Sequence, residues 1–324
     1  KKGSGVKTTT WIGLRRGSYL ITEELGGGPF STTYKGVEDD TGNSIIYKVA
    51  ARAEEVELPG KAANSTVSLM QFTGSWGAVA PDTAALLLAQ AQRLQSAQDK
   101  SWLKVRQCQD SAAVTFFSAD FFQGKTLRSM LAEGLDSLLP LVECLKALNR
   151  LSKQEGFKYH GDLKPDNILV ASDSSILLID PGHFDDLRSV HGNTAPMVVT
   201  TPAYYPGLLP NDLLAMGIIL HETLTGYNPF AERRSLDEIE NARLSDELRQ
   251  RILMNEMTGN FFYSSLATLL PPSRVNPAIT ASLESIILKG LGVKFQPDGT
   301  LDCQPGYGNF LAFAAALMNN IEGL

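Results

Sequence analysis

The sequence predicts an α+β chain in two lobes: a small lobe on an antiparallel sheet, a large and mostly helical lobe, and a crevice between them. Three observations carry this prediction. Residues 19–50 alternate strand-like runs with glycine-bearing or polar turns. From about residue 125 apolar residues recur at spacings of three and four, the period of a helix that buries one face. At 324 residues the chain can bury one large core or two modest ones, since domains usually hold roughly 100–150 residues.

Residues 1–18 read as a polar, Thr- and Gly-rich tail in which Trp11 and Ile12 are the groups able to dock on the body. The small lobe is expected over 19–122. Tyr19–Leu25 is a strand leading into GGGPFS, Thr32–Val37 is a second strand, EDDTGN (38–43) is a turn, and Ser44–Ala50 resumes β character. Residues 51–80 are rich in Ala, Gly, Ser and Thr and read as an insertion without clear patterning. Pro81–Ala97 is a helix, with proline in its first turn followed by good helix formers. Lys104–Gln107 and Ala112–Ala119 are two further strands.

The large lobe is expected over 123–324, after QGKTL (123–127) breaks the strand pattern. Thr126–Glu133 and Leu138–Ser152 are amphipathic helices, and SILLID (175–180) is a short buried strand. Residues 181–210, with many Gly, Pro, Thr and His residues, form a long ordered loop, a kind of segment that is often functional. Leu213–Leu224 is a strongly apolar helix, and helical segments near 236–254, 281–290 and 308–319 complete the chain. There is no internal repeat.

Composition narrows the function. The net charge of −6 and the lack of a Lys/Arg stripe argue against a nucleic-acid partner. They leave room for a nucleotide, whose phosphates are met by one lysine, backbone N–H groups and a divalent cation. Cys108, Cys144 and Cys303 are too scattered for a disulfide framework or a metal knuckle, so a reducing, cytoplasmic setting is expected. The four histidines lack metalloprotease spacing. Apolar runs such as Leu213–Leu220 fall far short of the roughly 20 residues of a spanning helix, so no membrane-spanning segment is expected. Nor does the start of the chain read as a signal peptide.

The motif string is more specific. Residues 159–170, YHGDLKPDNILV, place two aspartates, a lysine and an asparagine directly before an apolar run. This closely resembles the catalytic loop of eukaryotic-type protein kinases, HRD followed by KxxN. LGGGPFSTTYKG (25–36) resembles their glycine-rich nucleotide loop, and Lys48 in IIYKVA stands where their strand-three lysine stands. LLIDPG (177–182) resembles the metal-binding DFG segment, TPAYYPG (201–207) the TPxYxxPE that closes the activation segment, and 212–230 the central buried helix. Order and spacing agree over about residues 19–320, and the catalytic-loop and metal segments together are a strong signal.

The resemblance implies a bilobal protein-kinase-like fold and a role for each matching residue. Asp162 would accept a hydrogen bond from the attacking hydroxyl and take its proton. Lys164 would follow the γ-phosphate as it transfers. Asn167 and Asp180 would offer hard oxygen ligands to Mg²⁺, with Mn²⁺ an alternative. Lys48 would pair with the α- and β-phosphates of ATP. Gly26, Gly27, Gly28 and Ser31 would form the loop over the phosphates. Leu25 above and Leu169 below would face the adenine, with edge hydrogen bonds from the backbone at Asp120–Phe122. Ala119, just before that hinge, would leave a roomy pocket.

Each residue also has a plainer explanation. An aspartate before a strand is usually a surface or capping residue, and a strand lysine can lie along apolar surface with its head in water. A glycine cluster can be ordinary hairpin chemistry. His160 reads as a hydrogen-bonding residue beneath the loop, and Asp212 as an acceptor for the loop's backbone N–H groups.

The departures from the family pattern matter as much. Gly161 replaces the HRD arginine, the receptor for a phosphate on the activation segment, although Ser189, Thr194 and Thr200 lie in that segment. Pro181 replaces the DFG phenylalanine and is expected to hold Asp180 extended. Ser31 replaces the third loop glycine, Thr33 the valine over the base, and Gly207 the glutamate that clamps the segment. The 81–97 helix contains no glutamate to pair with Lys48. Gln90 stands near the expected position, and Glu54, Glu55 and Glu57 lie close after the lysine.

The sequence therefore implies an ATP- and Mg²⁺-dependent serine/threonine kinase acting on a protein substrate without activation-loop phosphorylation. Lys164, two residues beyond the catalytic aspartate, carries the acceptor class. The short 207–211 segment would reshape the substrate platform, which leaves a non-protein acceptor open. An activating partner protein is one source of the missing acidic contact. The resemblance suggests a bacterial or pathogen-derived enzyme, cytoplasmic or, as a secreted effector, in a host cytosol. The alternative is a pseudokinase that binds nucleotide or other proteins without turnover.

Overall fold

Strand alternation builds the first sheet. In the computed structural model, which describes residues 11–51, 65–72, 75–185, 196–207, 209–258 and 261–321, the chain opens with β1 (Arg15–Arg16), β2 (Tyr19–Gly27), β3 (Ser31–Glu38) and β4 (Ser44–Ala50). There follow β5 (Val67–Phe72), β6 (Ser75–Ala78), α1 (Thr83–Gln95), β7 (Val105–Asp110) and β8 (Thr115–Asp120). The sheet order is β1-β2-β3-β4-β8-β7, with antiparallel pairing throughout.

Neighbouring residues of β8 face opposite ways, as a period of two requires. Phe116 joins Ile21, Tyr34, Ile45 and Tyr47 under Trp11, while Phe117 and Ala119 pack with Leu87, Ala91 and Leu94 of α1. Trp11 stacks on Tyr34 at 6.1 Å and meets Phe116 edge-on at 5.6 Å, and the Arg16 guanidinium lies 4.6 Å from its ring centre. Ile12 is 48% exposed. The helix expected from Pro81 begins two residues later. Asp82 is its cap, accepting the N–H groups of Ala84 and Ala85 at 3.1 Å, which puts Pro81 outside.

The large lobe starts with β9 (Lys125–Thr126), α2 (Leu127–Glu133) and α3 (Leu139–Leu151). The strands β10 (Ile168–Val170), β11 (Ile176–Leu178), β12 (His183–Phe184) and β13 (Met197–Thr200) precede α4 (Asp212–Thr225). After these come α5 (Leu236–Asn241), α6 (Asp246–Met257), α7 (Pro272–Val275), α8 (Ala281–Leu291), β14 (Val293–Phe295), β15 (Leu301–Cys303) and α9 (Phe310–Met318). α4 is the buried axis. It meets α8 backbone to backbone: a Cβ on Gly217 would come within 2.4 Å of the Gly290 carbonyl. The architecture is a bilobal, kinase-like α+β fold.

Two stretches expected to lack regular structure prove to be strands. The described part of 51–80 holds the β5–β6 hairpin, and the described part of 181–210 holds β12 and β13. They form one sheet across the lobes, in the order β12-β13-β5-β6, with Val199 opposite Ser68 and Thr200 opposite Val67. The partners are far apart in sequence, so local periodicity could not announce them. Residues 52–64 and 186–195, which include Glu54, Glu55, Glu57, Ser189 and Thr194, lie outside the described residues. Among the described residues no helix is long and apolar enough to cross a membrane.

Candidate active site

A cleft of about 810 Å³ lies beneath the β2–β3 hairpin, within the size range of ligand sites. Leu25, Gly26, Gly27, Gly28 and Ser31 line its roof, with Lys48 from β4, Asp120 at the end of β8 and Phe122 just after it. Asp162, Lys164, Asn167, Leu169 and Asp180 line the remainder. Ala119 is buried one residue before Asp120. The Gly28 N–H donates to the Ser31 carbonyl at 2.8 Å and closes the roof turn. A Cβ on Gly26 or Gly28 would meet nothing within 4 Å, so packing requires glycine at neither and the space is left free.

The loop at 159–167 is held from below by Asp212, at the start of α4. Its carboxylate accepts the N–H groups of His160 at 2.6 Å and Gly161 at 3.0 Å, and the Tyr205 hydroxyl at 2.7 Å. The Tyr205 oxygen accepts the Leu163 N–H at 2.9 Å. His160 is fully buried. Its Nδ1 accepts the Asp162 N–H at 3.2 Å, so its proton sits on Nε2 and is donated to the Ile179 carbonyl at 2.9 Å. Burial pushes its pKa down and keeps the ring neutral. It is a strut rather than a base.

Gly161 has φ +82°, a left-handed conformation, and a Cβ there would lie 3.0–3.2 Å from the rings of Tyr159 and Phe184. Those rings meet edge-on at 5.5 Å, and the Tyr159 hydroxyl donates to the Phe184 carbonyl at 2.9 Å. The space into which an arginine at 161 would start is therefore filled by aromatic side chains. Arg93 of α1 caps this group. Its guanidinium lies 4.5 Å from the Tyr159 ring centre and donates to the Tyr159 carbonyl in a short hydrogen bond. Sequence reasoning counted Arg93 only as a helix former and missed this contact.

Asp162 is 2% exposed. Its Oδ2 accepts the Asn167 amide at 3.1 Å and the Thr66 hydroxyl at 3.0 Å, while Oδ1 has no hydrogen-bond partner among the described residues. The Lys164 ammonium lies 3.7 Å from Asp162 Oδ2 and donates to the hydroxyls of Thr66 at 2.7 Å and Thr201 at 3.0 Å. Thr66 precedes β5 and carries no motif, so its presence beside Asp162 was not legible in the sequence.

Two expectations about the metal segment need correction. Asp180 is not extended: its φ is +56°, a left-handed conformation that aspartate tolerates better than most residues. Among the described residues the acidic partner of Lys48 is Asp180, at 2.5 Å, with the lysine almost fully buried. Gln90 does not reach toward Lys48. It donates to the Pro181 carbonyl at 3.2 Å.

The donor set fits a nucleotide-borne Mg²⁺. Asn167 commits its amide nitrogen to the Asp162 carbonyl at 2.7 Å, which leaves its oxygen for a cation. With Asp180 this makes one neutral and one charged hard ligand. No group of three or more acidic, His or Cys side chains that could hold a metal occurs among the described residues. Mg²⁺ at such sites commonly takes one or two carboxylates and completes its shell with phosphates and water.

Gly207 leaves the activation segment without its acidic clamp, and other residues hold it. Arg128 of α2 donates to Glu222 at 2.6 Å and to the Tyr204 hydroxyl at 2.8 Å, and Tyr204 donates to Glu222 at 2.5 Å.

No protein-family model matches the chain. It is 27% identical over 176 residues to a probable serine/threonine-protein kinase of Dictyostelium discoideum, covering 45% of this chain and 37% of that protein. It is 22% identical over 231 residues to the serine/threonine-protein kinase PknL of Mycobacterium tuberculosis, covering 65% of this chain and 50% of that one. The chain thus spans half or less of the length of these relatives. Among solved structures, the apo form of PpkA-294 superposes with a TM-score of 0.56 at 17% identity, covering 94% of this chain and 98% of that one, a likeness of fold.

Proposed function

We propose that this chain, a divergent member of the serine/threonine protein-kinase-like superfamily, transfers the γ-phosphate of ATP to a serine or threonine hydroxyl of a protein. The observation that carries the reading is convergence. Asp162, Lys164, Asn167, Asp180 and Lys48, drawn from three separate segments, meet in one cleft under a glycine-bearing hairpin.

Asn167 and Asp180 are the residues to hold Mg²⁺, which when bound supplies positive charge to the phosphate oxygens. Lys48 and Asp180 now neutralise each other at 2.5 Å. With nucleotide bound, Lys48 would be the residue to hold the α- and β-phosphates and Asp180 the one to hold the cation. Asp162 carries an unpartnered buried oxygen beside the acceptor position and takes the hydroxyl proton. Lys164 stays with the transferring phosphoryl group, and positioning with charge neutralisation supplies most of the catalysis. Control by a phosphate on the activation segment is replaced by fixed packing, because Gly161 offers no cation and the aromatic pair fills its surroundings. A reducing, cytoplasmic compartment suits the scattered cysteines.

The second reading is a pseudokinase. It is favoured by the absence of a helix glutamate on Lys48 and by the cover that Thr66 puts over Asp162. Radiolabelled ATP with Mg²⁺ separates the two, using a generic basic protein and the chain itself as acceptors. Transfer that falls by about 10²–10⁴ in Asp162→Ala, and likewise disappears in Asp180→Ala, supports the enzyme. ATP binding with no transfer by the wild type supports the pseudokinase.

A further inference from the structure

The acceptor side of the cleft is filled by the chain itself. β5 lies antiparallel on β13, and the residue before it, Thr66, directs its hydroxyl at the two groups assigned to acceptor chemistry. Thr66 Oγ1 stands 3.0 Å from Asp162 Oδ2, 2.7 Å from Lys164 Nζ and 3.2 Å from Thr201 Oγ1. The main chain that delivers it is fixed on both sides. Val67 pairs with Thr200, and the Val79 N–H donates to the Ser68 carbonyl at 3.0 Å. Thr66 also lines the same cleft as Lys48 and Asp180. A hydroxyl held within hydrogen-bond reach of the carboxylate that would take its proton has the geometry the acceptor step requires.

Resting on the phosphotransferase reading above, we propose that Thr66 is this chain's own phosphoacceptor, phosphorylated in cis. Thr66 Oγ1 attacks the γ-phosphorus of ATP. An O–P bond forms as the bond from that phosphorus to the β,γ-bridging oxygen breaks, the hydroxyl proton passes to Asp162, and ADP leaves with the electron pair. The product carries a charge of about −1.5 to −2 beside Asp162. Like charges at that distance repel, so residue 66 withdraws and the carboxylate opens to external acceptors.

The test incubates the full chain with ATP and Mg²⁺ at low and high protein concentration and maps phosphate by tandem mass spectrometry. The expected result is phosphate on Thr66 at a rate per molecule that does not change with protein concentration. Thr66→Val loses that phosphate, Thr66→Ser keeps it, and wild-type chain does not label residue 66 of an Asp162→Asn chain. Thermal melting of each variant confirms that it is folded, and Thr66→Ser preserves the test should Thr66→Val unfold. Labelling of Thr66 that accelerates with concentration refutes the cis step. Transfer to a basic protein with Thr66 unmodified overturns this proposal and leaves the phosphotransferase reading standing. No transfer to either acceptor overturns both.

Discussion

Replacing Gly161 by alanine should separate two costs that the structure places at one residue. The first is backbone. At φ +82° an L-residue is disfavoured by roughly 1–2 kcal/mol. The second is contact. The new Cβ would sit 3.0 Å from Tyr159 and 3.1 Å from Phe184, and those rings have little freedom to yield. Tyr159 is bonded through its hydroxyl to the Phe184 backbone and covered by the Arg93 guanidinium. Overpacking of this kind typically costs about 1–3 kcal/mol, so Gly161→Ala should lose about 2–5 kcal/mol in total. Gly226 is the control. It has nearly the same φ, +80°, but a Cβ there meets nothing within 4 Å, so Gly226→Ala should lose only the backbone part, about 1–2 kcal/mol. Urea unfolding of both variants gives the difference, provided the denaturant slope is unchanged. Because Gly161 adjoins Asp162 and bonds both Asp212 and Thr200, its variant should also lose phosphotransfer, while Gly226→Ala keeps it. Equal losses in the two variants would refute the idea that ring packing excludes a side chain at 161. Gly161→Arg makes the same Cβ demand, so it should destabilise the chain without creating a phosphate receptor.

Other perturbations test other contacts. Arg93→Gln removes a buried charged donor from the Tyr159 carbonyl and should lower stability by about 1.5–3 kcal/mol. If Arg93 positions the catalytic loop, kcat should fall with little change in KM for ATP, whereas a purely structural role would lower the melting temperature alone. Lys48→Met should weaken ATP binding by about tenfold to a hundredfold, the loss of one charge-assisted contact, as read by titration with a fluorescent nucleotide. His221 is buried, and burial pushes its pKa down to about 4 from an ordinary 6.5. Its contribution is therefore complete above pH 6.5 and is lost as pH falls toward about 4, because the unfolded chain takes up the proton first. The full window amounts to about 3 kcal/mol, and His221→Gln should flatten that part of a melting-temperature profile against pH.

What the sequence displayed well was local. The residues of the catalytic loop are contiguous, so their types and spacing could be read without knowing any partner. Helix α3 announced its buried face by its own period, and β2 to β4 by their turns. What stayed hidden was set by distant pairing. MVVT at 197–200 becomes a strand because VSLMQF at 67–72 lies beside it, and neither run contains the other's information. Thr66 reaches Asp162 only through that register. The same holds for single side chains: Gln90 reads in the sequence as standing where a partner of Lys48 would, but its actual partner, the Pro181 carbonyl, depends on how α1 sits on the other lobe. Asp180 shows a local rule being overridden. The residue before proline favours extended backbone, yet the ion pair with Lys48 and the neighbouring Asn167 amide, 3.4 Å from the Asp180 carbonyl, accompany a left-handed turn.

These contacts show how the chain does without the missing glutamate. In the family pattern that the sequence resembles, one acidic residue on the helix pairs with the strand lysine. Here α1 sends Gln90 to Pro181 and Arg93 to Tyr159 and His160 in the large lobe, while Thr83 donates to the Ala51 carbonyl in its own lobe, and among the described residues it makes no hydrogen bond to Lys48. The helix is thereby tied to the two loops that carry Asp162 and Asp180. The lysine is aimed from below by Asp180, the carboxylate proposed to hold the cation. Displacing α1 would break hydrogen bonds at both loops. The acceptor position remains open to control, and that is where the β5 strand lies. On the phosphotransferase reading proposed above, a fixed nucleotide half and a covered acceptor half would place regulation of such a site at the entry of the hydroxyl.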